Sequence, residues 1–391
     1  MKSEEKASFS LKRSLLLLFA VNVGVAIVNS CVTPIWPLYL EGLGATVLEV
    51  SLVASMLNLV DTVLRTVTGL GSDVYGRRLF IAASSFLSSV SLFLYPFARS
   101  WQNLVPLAMV YAASFSFFMP ARTAYVADCC PPKLRTKAYS AINASWPIGS
   151  ILGPIVGGIA SERFGWNCAF YVASAISAAT ILPAIALREP KRPRSGASPG
   201  IGNLRPAAPY FALNFLSGFG MGITSAIVPL YVQLAFDASL IEVGIFFSIG
   251  SGVAMLLAQL PASWFPTKYG RRKTLLMSQS TLPLAFFLWP FAGEYPSLLL
   301  IYMSINGFWS MTWPSILSLL MDAAEPERRG IVTGFAQTSM MLGFSVGPIL
   351  GGLLWEGVGP AYPFYASAAV FAFSLPIILG LRPLKPKHAR G

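Results

Sequence analysis

The chain has 391 residues, 55% of them hydrophobic and only 11% charged, with a mean hydropathy of +0.64 and a formal net charge of +12. Soluble domains run at roughly 45–50% apolar and 25% charged, so this composition excludes an ordinary soluble protein and predicts a membrane-embedded one. The lysines and arginines sit in short gaps between apolar runs of about 20 residues, which assigns the positive charge to topology and argues against nucleic-acid binding.

Twelve stretches are apolar for long enough to cross a bilayer as helices. In chain order they cover about residues 14–40, 47–70, 79–98, 104–126, 138–160 and 168–187, then 209–234, 243–265, 274–291, 298–321, 331–355 and 362–381. The first is too long for a signal peptide and ends without a small-residue cleavage site, so it is expected to stay in the mature protein. Arg99 and Arg163 fall on one side of the membrane and Arg65 and Arg122 inside spans; every other Lys and Arg falls on the side holding both termini. The positive-inside rule places that side in the cytoplasm of a multi-pass cell-membrane protein. The stretch REPKRPRSGASPGIGNLRP, at 188–206, is basic and rich in Pro and Gly and reads as a linker. The expected domains are six-helix bundles at 1–187 and 209–391, joined by a cytoplasmic linker at 188–208. Cys31, Cys129, Cys130 and Cys168 show neither CxxC nor metal-ligand spacing and read as small helix residues.

The two halves repeat. A shift of 194 residues carries Gly76, Arg77 and Arg78 onto Gly270, Arg271 and Arg272, Pro120 onto Pro314, Asp128 onto Asp322, and Phe170 onto Phe364. The earlier FAVN, PLYL and LEV match FALN, PLYV and IEV at shifts of 192–193. An even number of spans per half gives both copies the same orientation. The predicted fold is therefore an all-α integral membrane protein of twelve transmembrane helices, in two parallel six-helix repeats related by a pseudo-twofold axis along the membrane normal. Repeats of this kind place a binding site between the halves.

The stretch TGLGSDVYGRRLF, at 68–80, reads as a compact charged loop between the second and third spans, and TKYGRRKTLL repeats part of it from Thr267. Glycine permits the reversal, the arginines stay in the headgroup zone, and the acid can bond neighbouring helix ends. With the repeat, Gly69, Asp73, Gly76, Arg77 and Arg78 resemble the signature between helices 2 and 3 of the major facilitator superfamily of secondary transporters. The resemblance covers nearly the whole chain. It implies that Asp73, Arg77 and Asp128 form a cytoplasmic network latching the outward-facing state, with Arg271 and Asp322 a weaker copy. In that second copy the acid is replaced by Thr267 and the leading glycine by Ser263.

GSILGPIVGG in the fifth span (Gly149, Gly153, Pro154, Gly157, Gly158) and GFSVGPILGG in the eleventh (Gly343, Gly347, Pro348, Gly351, Gly352) set glycines four apart on one face, where a second backbone can approach. The first resembles the signature of drug:proton antiporters. Its recurrence in the second repeat equally suits a packing device.

Charges inside spans carry the sharper functional signal, because each is costly in lipid unless paired or solvated. Asp61 lies about 18 Å along a helix from Asp73, near the middle of the hydrocarbon. Arg65 follows at i+4 on the same face, and Arg122 precedes Asp128 by six residues. The three are expected to meet and to couple transport to protons. Their counterparts in the second repeat are neutral: Ala254 or Met255, Ala258 or Gln259, and Ile316. The fold itself therefore does not demand charge there.

The family's path-lining helices 1, 4, 7 and 10 add Asn22, Asn29 and Trp36, then Asn214 and Met221, then Asn306, Trp309 and Trp313, as expected substrate-cavity residues. No P-loop, metal cluster or nucleophile constellation stands out, and the single histidine, His388, lies in the polar C-terminal tail, so neither enzymatic chemistry nor a cofactor is expected. The expected activity is secondary transport by a monomer in a lipid bilayer, driven by a proton gradient and exporting drug-like or amphipathic small molecules. Proton-coupled uptake of a small polar or anionic solute is the alternative. A membrane sensor or scaffold would carry a large soluble domain that does not appear in these residues.

Overall fold

The computed structural model describes residues 2–190, 204–323 and 329–381, so most of the expected linker and His388 lie outside the described residues. The chain order is α1 (Lys2–Gly42), α2 (Val47–Tyr75), α3 (Arg77–Leu94), α4 (Trp101–Cys129), α5 (Pro132–Asn143), α6 (Ser145–Phe164), α7 (Trp166–Ala186), α8 (Ala208–Ser225), α9 (Ile227–Phe236), α10 (Leu240–Phe247), α11 (Ala254–Tyr269), α12 (Arg271–Leu288), α13 (Tyr295–Ala323), α14 (Arg329–Gly357) and α15 (Tyr362–Gly380). A π-helical turn, Ser248–Val253, joins α10 to α11. Among the described residues nine helices are long and apolar enough to cross a membrane. Their outward faces are oily: Leu70, Val74, Leu182 and Phe373 are 66–76% exposed, as a lipid solvent allows and water does not.

Two expected spans are each two helices. α5 and α6 meet at Ala144, and α8 and α9 meet at Ala226. A proline stands three residues beyond each break, Pro147 and Pro229. It has no N–H and its ring crowds the i−4 carbonyl, which belongs to Asn143 and Ser225, the last residues of α5 and α8. The charged stretch at 68–80 is also more helical than expected. α2 continues through Gly69 and Asp73 to Tyr75, and the reversal is made at Gly76 alone, with φ 116°.

The chain divides into two compact units. One comprises Met1–Ala45, Leu59–Arg194 and Val232–Ser248; the other comprises Thr46–Asn58, Ser195–Tyr231 and Ile249–Gly391. In the first, α6 lies along α1, α10 lies against α6, and α3 packs between α4 and α7. In the second, α14 lies along α8, the first turns of α2 lie against α14, and α12 packs between α13 and α15. The repeat persists in the side chains. Phe170 meets Tyr39 at 4.8 Å and Tyr95 at 5.1 Å; its counterpart Phe364 meets Tyr231 at 4.9 Å and Trp289 at 4.8 Å.

Candidate functional site

The intramembrane charges lie in the first unit, where α2 crosses α4. Arg65 Nε donates to both Asp61 carboxylate oxygens at 3.0 Å and Nη2 donates to Oδ2 at 2.7 Å, a fork-on-carboxylate geometry. Ser116 on α4 donates from Oγ to Asp61 Oδ1 at 2.7 Å, and Thr68 on α2 donates to the Ser116 carbonyl at 2.7 Å. Both oxygens of Asp61 are therefore engaged, while the guanidinium of Arg65 also lies 5.5 Å from the centre of the Phe115 ring. The pair expected from the i+4 spacing forms. Ser116 was not foreseen, since nothing in the sequence of α4 sets it apart from Ser114.

Arg122 makes its hydrogen bond elsewhere. Its Nη1 donates to Asn22 Oδ1 at 2.9 Å, and the guanidinium sits 6.0 Å from the Phe118 ring. Asn22 in turn donates from Nδ2 to the Ile142 carbonyl at 3.0 Å and to Ser145 Oγ. Those two groups flank the α5–α6 break, where the interrupted ladder leaves a carbonyl to be satisfied. Asn22 was expected on the substrate path; it is 0% exposed and acts instead as a tie between α1, α4 and the break. Asn214, its counterpart, is 1% exposed and donates to the Tyr210 carbonyl at 2.8 Å, so it too is interior.

At the α2–α3 junction, Arg77 pairs with Asp73 and its Nε lies 3.2 Å from Asp128 Oδ2. Its Nη1 donates to Ser72 Oγ at 2.6 Å. The expected network is thus brought together, with one unforeseen member. The Glu189 carboxylate accepts from the backbone N–H of Arg77 at 2.7 Å and of Arg78 at 3.0 Å, capping α3 where a helix N-terminus favours negative charge. The sequence signal for it was a lone acid in the REPKR run. The Arg78 side chain is exposed, as topology alone would have it. In the second unit Arg271 pairs with Asp322, but at 48% and 52% side-chain exposure, and Arg272 donates to the Ile378 and Leu379 carbonyls at the end of α15. That copy is more solvated, and so weaker.

The glycine motifs are packing faces in both units. A Cβ at Gly153 would stand 2.5 Å from the Ile27 carbonyl oxygen and 2.7 Å from Cys31 N, and Gly149 and Gly157 face the same helix. A Cβ at Gly347 would stand 2.6 Å from Ile223 N, with Gly343 and Gly351 likewise against α8. Gly158 faces the backbone of α10, and Gly352 faces that of α2. Gly69 has no such tightness: its nearest neighbour would be Pro120 Cβ at 3.7 Å.

Of the other expected cavity residues, Asn29 lines a small pocket in the first unit with Ser84, Ser88, Tyr111 and Ser114. Trp36 is 7% exposed and its indole N–H has no partner among the described residues. Asn306 donates to the Tyr302 carbonyl at 2.9 Å, and Trp309 meets Phe344 and Phe371 edge-on. Met221 and Trp313 are half-buried.

A family model described as Major Facilitator Superfamily matches residues 18–252 and again 210–391. The chain is 26% identical to Multidrug resistance protein 1 of Bacillus subtilis, over 99% of each chain. It is 25% identical to Quinolone resistance protein NorA of Staphylococcus aureus, over 93% of this chain and 94% of the relative. Among solved structures it is similar to the nucleoside transporter NupG, with a TM-score of 0.78 at 16% identity over 94% of this chain and 99% of the other. The human organic anion transporter MFSD10 gives a TM-score of 0.71 at 18% identity over the same shares. At those identities the two structures speak for the fold alone.

Proposed function

The chain belongs to the Major Facilitator Superfamily, and on that premise we propose that it exports drug-like, amphipathic compounds across the cell membrane in exchange for protons, by alternating access. Full-length similarity to two resistance proteins supports the direction and the substrate class. The observation that carries proton coupling is Asp61: a carboxylate inside a span, held by the Arg65 fork and the Ser116 hydroxyl, at a position that is neutral in the second repeat. A carboxylate bonded by two different helices exchanges its proton when their crossing changes, so binding and release can follow the conformational cycle. Asp73, Arg77, Asp128 and Glu189 tie α2, α3, α4 and the end of α7 together and serve as the cytoplasmic latch.

The same reading takes twelve spans, both termini and the linker in the cytoplasm, a monomer as the working unit, and the proton gradient in place of a cofactor. The test is purified protein in liposomes with an imposed pH difference, screened over cationic, neutral and anionic amphiphiles. Accumulation of at least one class that collapses with the pH difference is expected. Equal distribution of all three, with or without the gradient, would reject the proposal.

A further inference from the structure

Arg122 is a cation inside a membrane span with no carboxylate partner among the described residues. Its polar contact is the neutral amide oxygen of Asn22, reached by Nη1, so Nε and Nη2 keep unused donors. Asp61, the carboxylate expected to neutralise it, already spends both oxygens on Arg65 and Ser116. Two guanidiniums and one carboxylate therefore leave one positive charge in excess within the spans of the first unit. The second unit shows that the fold does not require it, since Ile316 stands at the equivalent place, 1% exposed in an apolar core. A cation kept unpaired in lipid is costly, and such residues mark ligand pathways.

The surroundings say what kind of anion would fit. Two turns before Arg122 on α4, about 10 Å along the helix, Phe115 is half-buried and meets Trp146 at a centroid distance of 6.1 Å. A carboxylate on Arg122 and a flat ring against Phe115 and Trp146 are spaced as the ends of a bicyclic aromatic acid. We propose that Arg122 is a substrate-binding residue that takes the carboxylate of an aromatic anion or zwitterion, with the ring seated on Phe115 and Trp146. The bound carboxylate would complete the neutralisation and accept from the free edge of the guanidinium. This names a substrate class and rests on the transport reading above, which the experiment tests separately.

Purified full-length protein in nanodiscs is titrated with 2-naphthoate, 2-naphthamide and 2-naphthylmethylammonium, which share a ring and differ in charge. Wild type should bind naphthoate about tenfold or more tightly than naphthamide, the span of a charge-assisted hydrogen bond. Arg122→Ile, which copies the arrangement around Asn214 and Ile316, should erase that difference by weakening naphthoate about tenfold or more relative to naphthamide; Arg122→Lys should keep part of it. If Arg122→Ile fails to fold, Arg122→Gln replaces it. Equal binding of the two probes by wild type, tightest binding of the ammonium probe, or a preference that survives loss of the guanidinium overturns the assignment. In liposomes, a naphthoate preference without uphill movement of any probe would keep the anion site and remove the transport reading. Uphill movement of the ammonium probe without a naphthoate preference would do the reverse.

Discussion

The amide oxygen of Asn22 accepts a hydrogen bond from Arg122 at 2.9 Å, whereas the amide oxygen of Asn214, at the same place in the other repeat, has no partner among the described residues. The difference follows from one residue, because Ile316 occupies the position of Arg122. Asn22→Leu would leave Arg122 without its amide acceptor and strip one donor from the Ile142 carbonyl, and should cost about 2 kcal/mol or more, while Asn214→Leu gives up one local bond and should cost under about 1 kcal/mol. Thermal unfolding of the two purified variants checks this. A larger loss for Asn214→Leu would mean that Asn22 is not the tie described.

Gly153→Ala should destabilise by roughly 1–3 kcal/mol, because the new methyl meets the Ile27 carbonyl and Cys31 N at 2.5 and 2.7 Å and backbone cannot swing aside. Gly69→Ala, whose methyl meets Pro120 at 3.7 Å, should be close to neutral in stability. Melting temperatures in one detergent decide between them, and equal losses would contradict the packing assignment.

Glu189→Ala removes the carboxylate from the first two N–H groups of α3 and should cost about 1 kcal/mol, with slower transport as the latch loosens. Spin-label distances across the cytoplasmic ends of α2 and α4 should broaden in Glu189→Ala and in Arg77→Ala alike. Distances unchanged in both variants would leave the network a topological role only.

Much of this was legible in the sequence because lipid enforces it. Apolar length located the helices, although α1 starts twelve residues before its apolar run, and the i+4 spacing of Asp61 and Arg65 set their pairing. The breaks at Ala144 and Ala226 were not legible, because α4 and α14 run unbroken through Pro120 and Pro348. At the first break Asn22 on α1 supplies a donor to the Ile142 carbonyl, a partner that only the assembled helices provide. The bond from Arg122 to Asn22 was not legible for a related reason: depth along α4 was computable, but the partner of its guanidinium depends on how α1 packs. Glu189 and Ser116 act across long sequence separations and became visible only once the helices were assembled.

Reporters fused at either terminus and just after Arg188 should all report the cytoplasm, given the one-sided distribution of Lys and Arg. An external signal after Arg188 would break the two-bundle reading.

Proton coupling through Asp61 is tested most directly by comparing wild type and Asp61→Asn for uphill and downhill movement of one transported substrate in the same liposomes. Asn keeps the acceptor for Arg65 but cannot carry the proton. The expected result is loss of pH-driven accumulation with downhill exchange retained. An Asp61→Asn protein that still concentrates substrate in response to a pH difference would contradict the assignment and make Asp61 a structural partner of Arg65.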